Sequence, residues 1–89
     1  MNVEYRRLFL KDLKKLKNQP IYQKVYDLAF ETLPNLDSLE DLPNVKALIS
    51  SVSRYRICVG DYRIGVEING DTLELFRVLH RSEFYRYFP

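Results

Sequence analysis

An α+β fold is expected from three features of the chain. Apolar residues in its first third recur at helical spacing, and those in its last third recur at the strand spacing of two. Short turn signals built from Gly, Asn and Asp separate the strand-like runs. Together they imply an N-terminal helical hairpin packed on a small antiparallel sheet and closed by a short C-terminal helical turn.

The elements follow in chain order. Asn2 to Arg6 carry only a weak strand pattern. From Arg7 to Lys17, Phe9, Leu13 and Leu16 fall on one helical stripe with Leu8 beside them, while Lys11, Lys14, Lys15 and Lys17 take the outer positions. Asn18-Gln19-Pro20 breaks this helix, and Pro20 suits the first turn of a second one. There Ile21, Val25 and Leu28 share a stripe, and Pro34 is expected to end it. The short connection predicts that the two helices fold back on each other. Between Pro34 and Ser53 the pattern is poor; Leu36, Leu39 and Leu42 read as anchors of a loop or helical turn. "VKALIS" opens a strand with Lys46 near its start.

The period then becomes two. Tyr55, Ile57 and Val59 alternate with Arg56 and Cys58; Tyr62, Ile64, Val66 and Ile68 alternate with Arg63, Gly65 and Glu67. Gly60-Asp61 and Asn69-Gly70 are two-residue hairpin signals. The run from Thr72 to Leu79 is apolar on both parities apart from Glu74 and Arg77, as expected of a strand covered on both faces. Ser82 is placed to start the final turn, with Tyr87 and Phe88 pinning the C-terminal segment.

Composition bounds the function. At 89 residues, with 46% apolar and 29% charged, the sequence reads as a single globular domain over 1–89. A net charge of +2 is too small to hold long nucleic acid by electrostatics alone, so any such role needs a local cationic patch or a helping partner. One cysteine and one histidine leave no disulfide framework, no cysteine-rich zinc site and no expected metal or cofactor. No long apolar run marks a signal peptide or a membrane span, and the expected setting is cytoplasmic.

Arginine is concentrated late in the chain. Arg54, Arg56, Arg63, Arg77, Arg81 and Arg86 follow Lys46, after which there is no lysine, and His80 stands among them. Guanidinium is a planar, permanently charged fork suited to phosphate. On the first two predicted strands the aromatic and branched residues face the helices, so Arg56, Cys58, Arg63, Gly65 and Glu67 face away. Gly65 would leave a bare spot there for a flat ligand. Arg81 and Tyr85 stand four apart, one above the other on a turn. Arg56, Arg63, Arg81, Tyr85 and His80 can therefore converge on one concave face. The alternative is a solvated sheet face whose arginines pair with Glu67, Glu74 and Glu83. A lone histidine such as His80 is more often structural than catalytic.

"YRICVGDYRIGVEI" and "LFRVLHRSEFYRYFP", with "FLKDLKKL" in the first helix, resemble the RelE/ParE superfamily of toxins, in its RelE-type branch. The resemblance implies two helices over an antiparallel sheet. It also implies a metal-independent endoribonuclease that cuts messenger RNA in the ribosomal A site and is silenced by a cognate antitoxin. The toxin–antitoxin complex is then expected to oligomerise on operator DNA through the antitoxin. Carried over by position, Arg63 matches the arginine of the second "YRI", Arg81 that of the "HR" ending and Tyr85 the closing tyrosine. Arg56 matches the first of two basic strand residues, and Lys46 a lysine before that strand. Cys58 departs from the pattern, because the second basic residue is missing.

The chemistry sets the roles. RNA carries its own nucleophile in the 2′-hydroxyl, so cleavage needs a base, cations on the phosphoryl oxygens and an acid for the leaving 5′-oxygen. Arg63 and Arg81 are the expected phosphate ligands, supported by Arg56. A free phenol near pKa ~10 is ionised to only about one part in a thousand at neutral pH. The resemblance nevertheless points to Tyr85 as base, with His80 as its rival. Two other functions stand open: a gyrase-inhibiting toxin of the ParE type, and a catalytically inactive RNA- or protein-binding module on the same fold.

Overall fold

Phe9, Leu13 and Leu16 form the buried stripe that the helical spacing predicts, opposite exposed Lys11, Lys14 and Lys17. In a computed structural model, which describes residues 1–48 and 53–88, this stripe lies on α1 (Arg7–Lys15) and its C-cap Leu16, after β1 (Asn2–Tyr5). Next come α2 (Tyr22–Asp27), a π turn (Leu28–Thr32), α3 (Leu33–Asn35) and a 3₁₀ turn (Leu39–Asp41). Strands β2 (Val45–Ala47), β3 (Arg54–Val59), β4 (Tyr62–Asn69) and β5 (Thr72–His80) follow, and α4 (Arg81–Tyr87) closes the order. The expected continuation of β2 through Ile49 and Ser50 lies outside the described residues.

The five strands form one sheet in the order β1-β5-β4-β3-β2. β2 to β5 pair antiparallel, but β1 runs parallel to β5, with Val3 beside Leu73 and Tyr5 beside Leu75. The sheet is therefore mixed, not antiparallel as the hairpin signals implied. Those signals report only on strands adjacent in sequence, whereas β1 finds its partner at the far end of the chain. Both hairpins turn on Gly-Asp with glycine first, at φ 57° for Gly60 and 58° for Gly70. That is the geometry in which the first central residue must be glycine. The second turn is thus centred on Gly70-Asp71 rather than Asn69-Gly70, since Asn69 still pairs with Thr72.

The core lies between one sheet face and the helices. Phe9, Leu13, Leu16, Val25, Ala29 and Leu33 pack against Ile57, Ile64, Val66, Leu73, Leu75 and Val78. Leu39 joins it from the 3₁₀ turn, with Leu36 and Leu42 half-buried beside it, the anchoring the leucine spacing implied. α1 rests chiefly on β5 and touches α2 only lightly. On β5, Val66 faces Leu75 and Gly65 faces Arg77, so Phe76 is an inserted residue. This bulge switches the strand's parity, which is why its sequence reads apolar on both faces.

Pro34 does not end the second helix, which runs on to Asn35 through the π turn. The Leu33 N–H bonds back to the Leu28 carbonyl, and Pro34 has no N–H, so the Ala29 carbonyl lacks a donor within the helix. The Tyr5 hydroxyl donates to it at 2.6 Å, and the Tyr5 ring stacks on Phe30 at 4.5 Å. Burial pushes the Tyr5 phenol above its ordinary value by disfavouring the phenolate. Its contribution to stability is accordingly full below the free phenol's pKa of ~10 and is lost as pH rises through the higher folded value. Tyr5→Phe is expected to cost about 1–2 kcal/mol at neutral pH in urea unfolding, through the orphaned carbonyl.

Candidate functional site

The sheet face turned away from the core carries the predicted cations, because each stands between core-facing residues on a period of two. Direct cross-strand partners share a face, so the register sets the layout. Lys46, Arg56 and Gly65 stand side by side on β2, β3 and β4. One step along, Cys58, Arg63 and Leu79 form a second row, and on the other side Arg54, Glu67 and Glu74 form a third.

Gly65 is not open to a ligand. The Phe88 ring occupies the spot, and a Cβ on Gly65 would stand 2.7 Å from its nearest carbons. α4 therefore folds over the outer face, held by buried Phe84 and Phe88, with the two rings 5.4 Å apart. Gly65→Ala is expected to lift Phe88 and with it the end of α4. It should cost about 1–3 kcal/mol, read as a lowered thermal midpoint.

The start of α4 is fixed by the β3–β4 turn. The Arg81 N–H donates to the Asp61 carbonyl at 2.8 Å, and Arg81 Nε lies 3.8 Å from Asp61 Oδ1. Arg63 bends to the same turn, its Nη1 donating to the carbonyls of Gly60 and Tyr62 at 2.9 Å each. The two arginines expected to share a phosphate are thus gathered at Gly60–Tyr62. One helical turn on, Tyr85 is 58% exposed, its ring edge-on to Phe84 at 5.0 Å. Arg56 sits one row away, with Nη1 donating to Cys58 Sγ at 2.6 Å, and Lys46 is its exposed neighbour.

His80, not Ser82, caps α4. His80 Nδ1 accepts from the Ser82 N–H at 3.1 Å and lies 2.8 Å from Ser82 Oγ. Nδ1 is thus engaged in capping the helix, which leaves Nε2 as the ring's free nitrogen. Tyr87, expected to pack inward, is 54% exposed and lies over Arg77, 5.4 Å from guanidinium carbon to ring centre.

Two of the three glutamates do pair, but with other arginines: Arg6 with Glu74 at 2.9 Å and Arg54 with Glu67 at 3.8 Å. Among the described residues, Arg56, Arg63 and Arg81 make no glutamate pair. Asp61, the carboxylate beside Arg81, was missed by the sequence reading because "GD" registered only as turn chemistry. The stacking of Arg6 and Arg54 on Phe76 was missed because the bulge that turns Phe76 outward leaves no periodic trace.

Comparison with known proteins decides the family. Residues 3–85 match the family described as the ParE toxin of type II toxin–antitoxin systems, parDE. The chain is 43% identical to toxin RelE3 of Methanocaldococcus jannaschii over 90 residues, covering all of both chains. It belongs to the RelE/ParE toxin family, as a RelE-type toxin. The crystal structure of the RelB–RelE antitoxin–toxin complex from Methanococcus jannaschii matches the toxin's fold with a TM-score of 0.77. That match is at 42% identity and covers 97% of this chain and 99% of that one. A toxin–antitoxin complex from Mycobacterium tuberculosis, RelBE2, matches with a TM-score of 0.68 at 29% identity, covering 90% of this chain and 96% of that one.

Proposed function

We propose that this toxin is a ribosome-dependent endoribonuclease that cuts messenger RNA by attack of the 2′-hydroxyl on the adjacent phosphate. The observation that carries the reading is the convergence of Arg63 and Arg81 on the Gly60–Tyr62 turn, with exposed Tyr85 one helical turn from Arg81. Tyr85 takes the 2′-hydroxyl proton as the oxygen attacks phosphorus. Arg63 and Arg81 face the phosphoryl oxygens as charge develops, and the bond to the 5′-oxygen breaks as that oxygen takes a proton from solvent water. The products are a 2′,3′-cyclic phosphate and a free 5′-hydroxyl.

Arg56 and Lys46 supply longer-range charge along the neighbouring row. His80 orients α4 and leaves the base role to Tyr85. Cys58 stands where the family pattern has a second basic residue, so fewer cations face the phosphate here. Substrate affinity then comes largely from the ribosome that presents the message, consistent with the small net charge. A cognate antitoxin, of the kind bound in the RelB–RelE and RelBE2 complexes, is the natural silencer. An acidic segment that folds on this cationic face would neutralise it.

The test uses purified toxin with ribosomes programmed by a defined message, beside the same message alone. Cleavage within the A-site codon that leaves 2′,3′-cyclic ends, and little cut of the naked transcript, is the expected result. An intact message on ribosomes, together with a DNA-damage response in expressing cells, would instead establish gyrase poisoning of the ParE kind.

A further inference from the structure

Arg6 follows β1 directly and turns to the outer face, since Tyr5 before it faces the core. Its guanidinium is fixed on two sides. Nε donates to Glu74 Oε1 at 3.0 Å, and Nη2 meets the same oxygen at 2.9 Å. One flat face lies on the Phe76 ring, 4.4 Å from carbon to centroid. Arg54 also lies over Phe76, at 5.3 Å, and over Phe88 at 5.2 Å. Glu74, buried on the outer face, is held in turn by Asn69 Nδ2. The rest of the Arg6 side chain is open, at 52% exposure.

A long, flexible side chain on a surface usually loses rotamer entropy when it orders. Here the loss has already been met, which is unusual for a half-exposed arginine. What the arrangement offers is a flat, cationic, preorganised surface with one free side. Aromatic and guanidinium planes of this kind receive the splayed-out bases of single-stranded RNA. The charge around it agrees: Arg54, Arg56 and Lys46 continue from the platform towards the turn that holds Arg63 and Arg81. Arg63 on β4 and Arg6 at the end of β1 are offset by about four residues along the strands and two strand spacings across them, roughly 16 Å in all at ~3.3 Å per residue and ~4.8 Å per strand. That span suits a strand whose scissile phosphate lies at Arg63 and whose base a few nucleotides away reaches Arg6.

We infer that Arg6, backed by Phe76 and locked by Glu74, is a base-stacking platform that holds single-stranded RNA at a distance from the cleavage centre. The inference rests on the nuclease reading for its substrate class. It differs in its prediction, because the platform binds whether or not cleavage follows.

A fully 2′-O-methylated octanucleotide has no nucleophile and cannot be cut by this route. With 2-aminopurine placed at each position in turn, stacking reports as fluorescence quenching. Wild-type toxin at low salt is expected to quench one position strongly, two or three nucleotides from the position protected by Arg63 and Arg81. Arg6→Gln should abolish that quench and weaken affinity by about five- to tenfold. Arg6→Lys keeps the charge and the Glu74 partner but has no plane, so it should lose the quench while melting as wild type does. Quenching that survives in Arg6→Lys overturns the platform. So does an Arg6→Gln protein that binds the RNA normally and has lost only antitoxin affinity, which would make this a protein-docking site. If ribosomal cleavage fails for the wild type while the quench is present, the nuclease reading falls and the platform stands.

Discussion

Arg81→Ala and Tyr85→Phe should each abolish growth arrest while the purified proteins melt within a degree or two of wild type. Both side chains are largely exposed, Arg81 at 63% and Tyr85 at 58%, so removing their polar groups disturbs little packing. Removing a preorganised charge from a developing oxyanion costs about 10²- to 10³-fold in rate. Loss of a general base costs about 10²- to 10⁴-fold. Tyr85→Phe is the sharper variant, because it keeps the ring on Phe84 and deletes only the hydroxyl. Single-turnover cleavage on programmed ribosomes separates the cases. A fall in the chemical step with unchanged ribosome affinity supports proton transfer. A Tyr85→Phe toxin of full strength would leave only a binding module.

Asp12→Ala should be strongly destabilising although it removes a charge. Asp12 is 5% exposed and receives Nε and Nη2 of Arg77 at 2.7 and 3.1 Å, with the Val78 N–H at 3.2 Å. Its carboxylate raises the Arg77 pKa above the ordinary guanidinium value, chiefly through the hydrogen bond, against the opposing pull of burial. Truncation leaves that guanidinium with only the Tyr87 ring, and breaking a buried pair costs about 3–5 kcal/mol. Arg77 keeps some solvent contact, which places the expected loss near 3 kcal/mol, or roughly 12–24 °C in Tm for a domain of this size. Asp12→Leu with Arg77→Met should recover much of it, since two apolar groups leave no orphaned charge. A double variant as unstable as Asp12→Ala would argue against that account. Because Tyr87 ends α4, the single variant should also lose toxicity at temperatures where it is still folded.

The residues that were legible in the sequence are those whose partners are near in sequence. Period-two alternation with glycine-led turns placed β3 and β4 and the faces of Arg56 and Arg63, because a hairpin's register follows from its turn. The Arg81–Tyr85 spacing was readable for the same reason. Contacts across the chain were not. Nothing in "NVEY" says that it lies parallel to β5, and no local pattern says that Phe88 will fill the gap at Gly65. Asp12 looked like one more charge on a lysine-rich helix; only Arg77, placed by the bulge, makes it a buried anchor. His80 shows the limit from the other side: its type left a structural and a catalytic role both open, and only the backbone shows that it caps α4.

The parallel pairing of β1 with β5 also bears on how the toxin comes into being. Asn2 to Tyr5 must wait, unpaired, until Thr72 to Leu75 have been made. Sheet completion is therefore a late event of synthesis, and an antitoxin already in the cell has the whole elongation period in which to be ready.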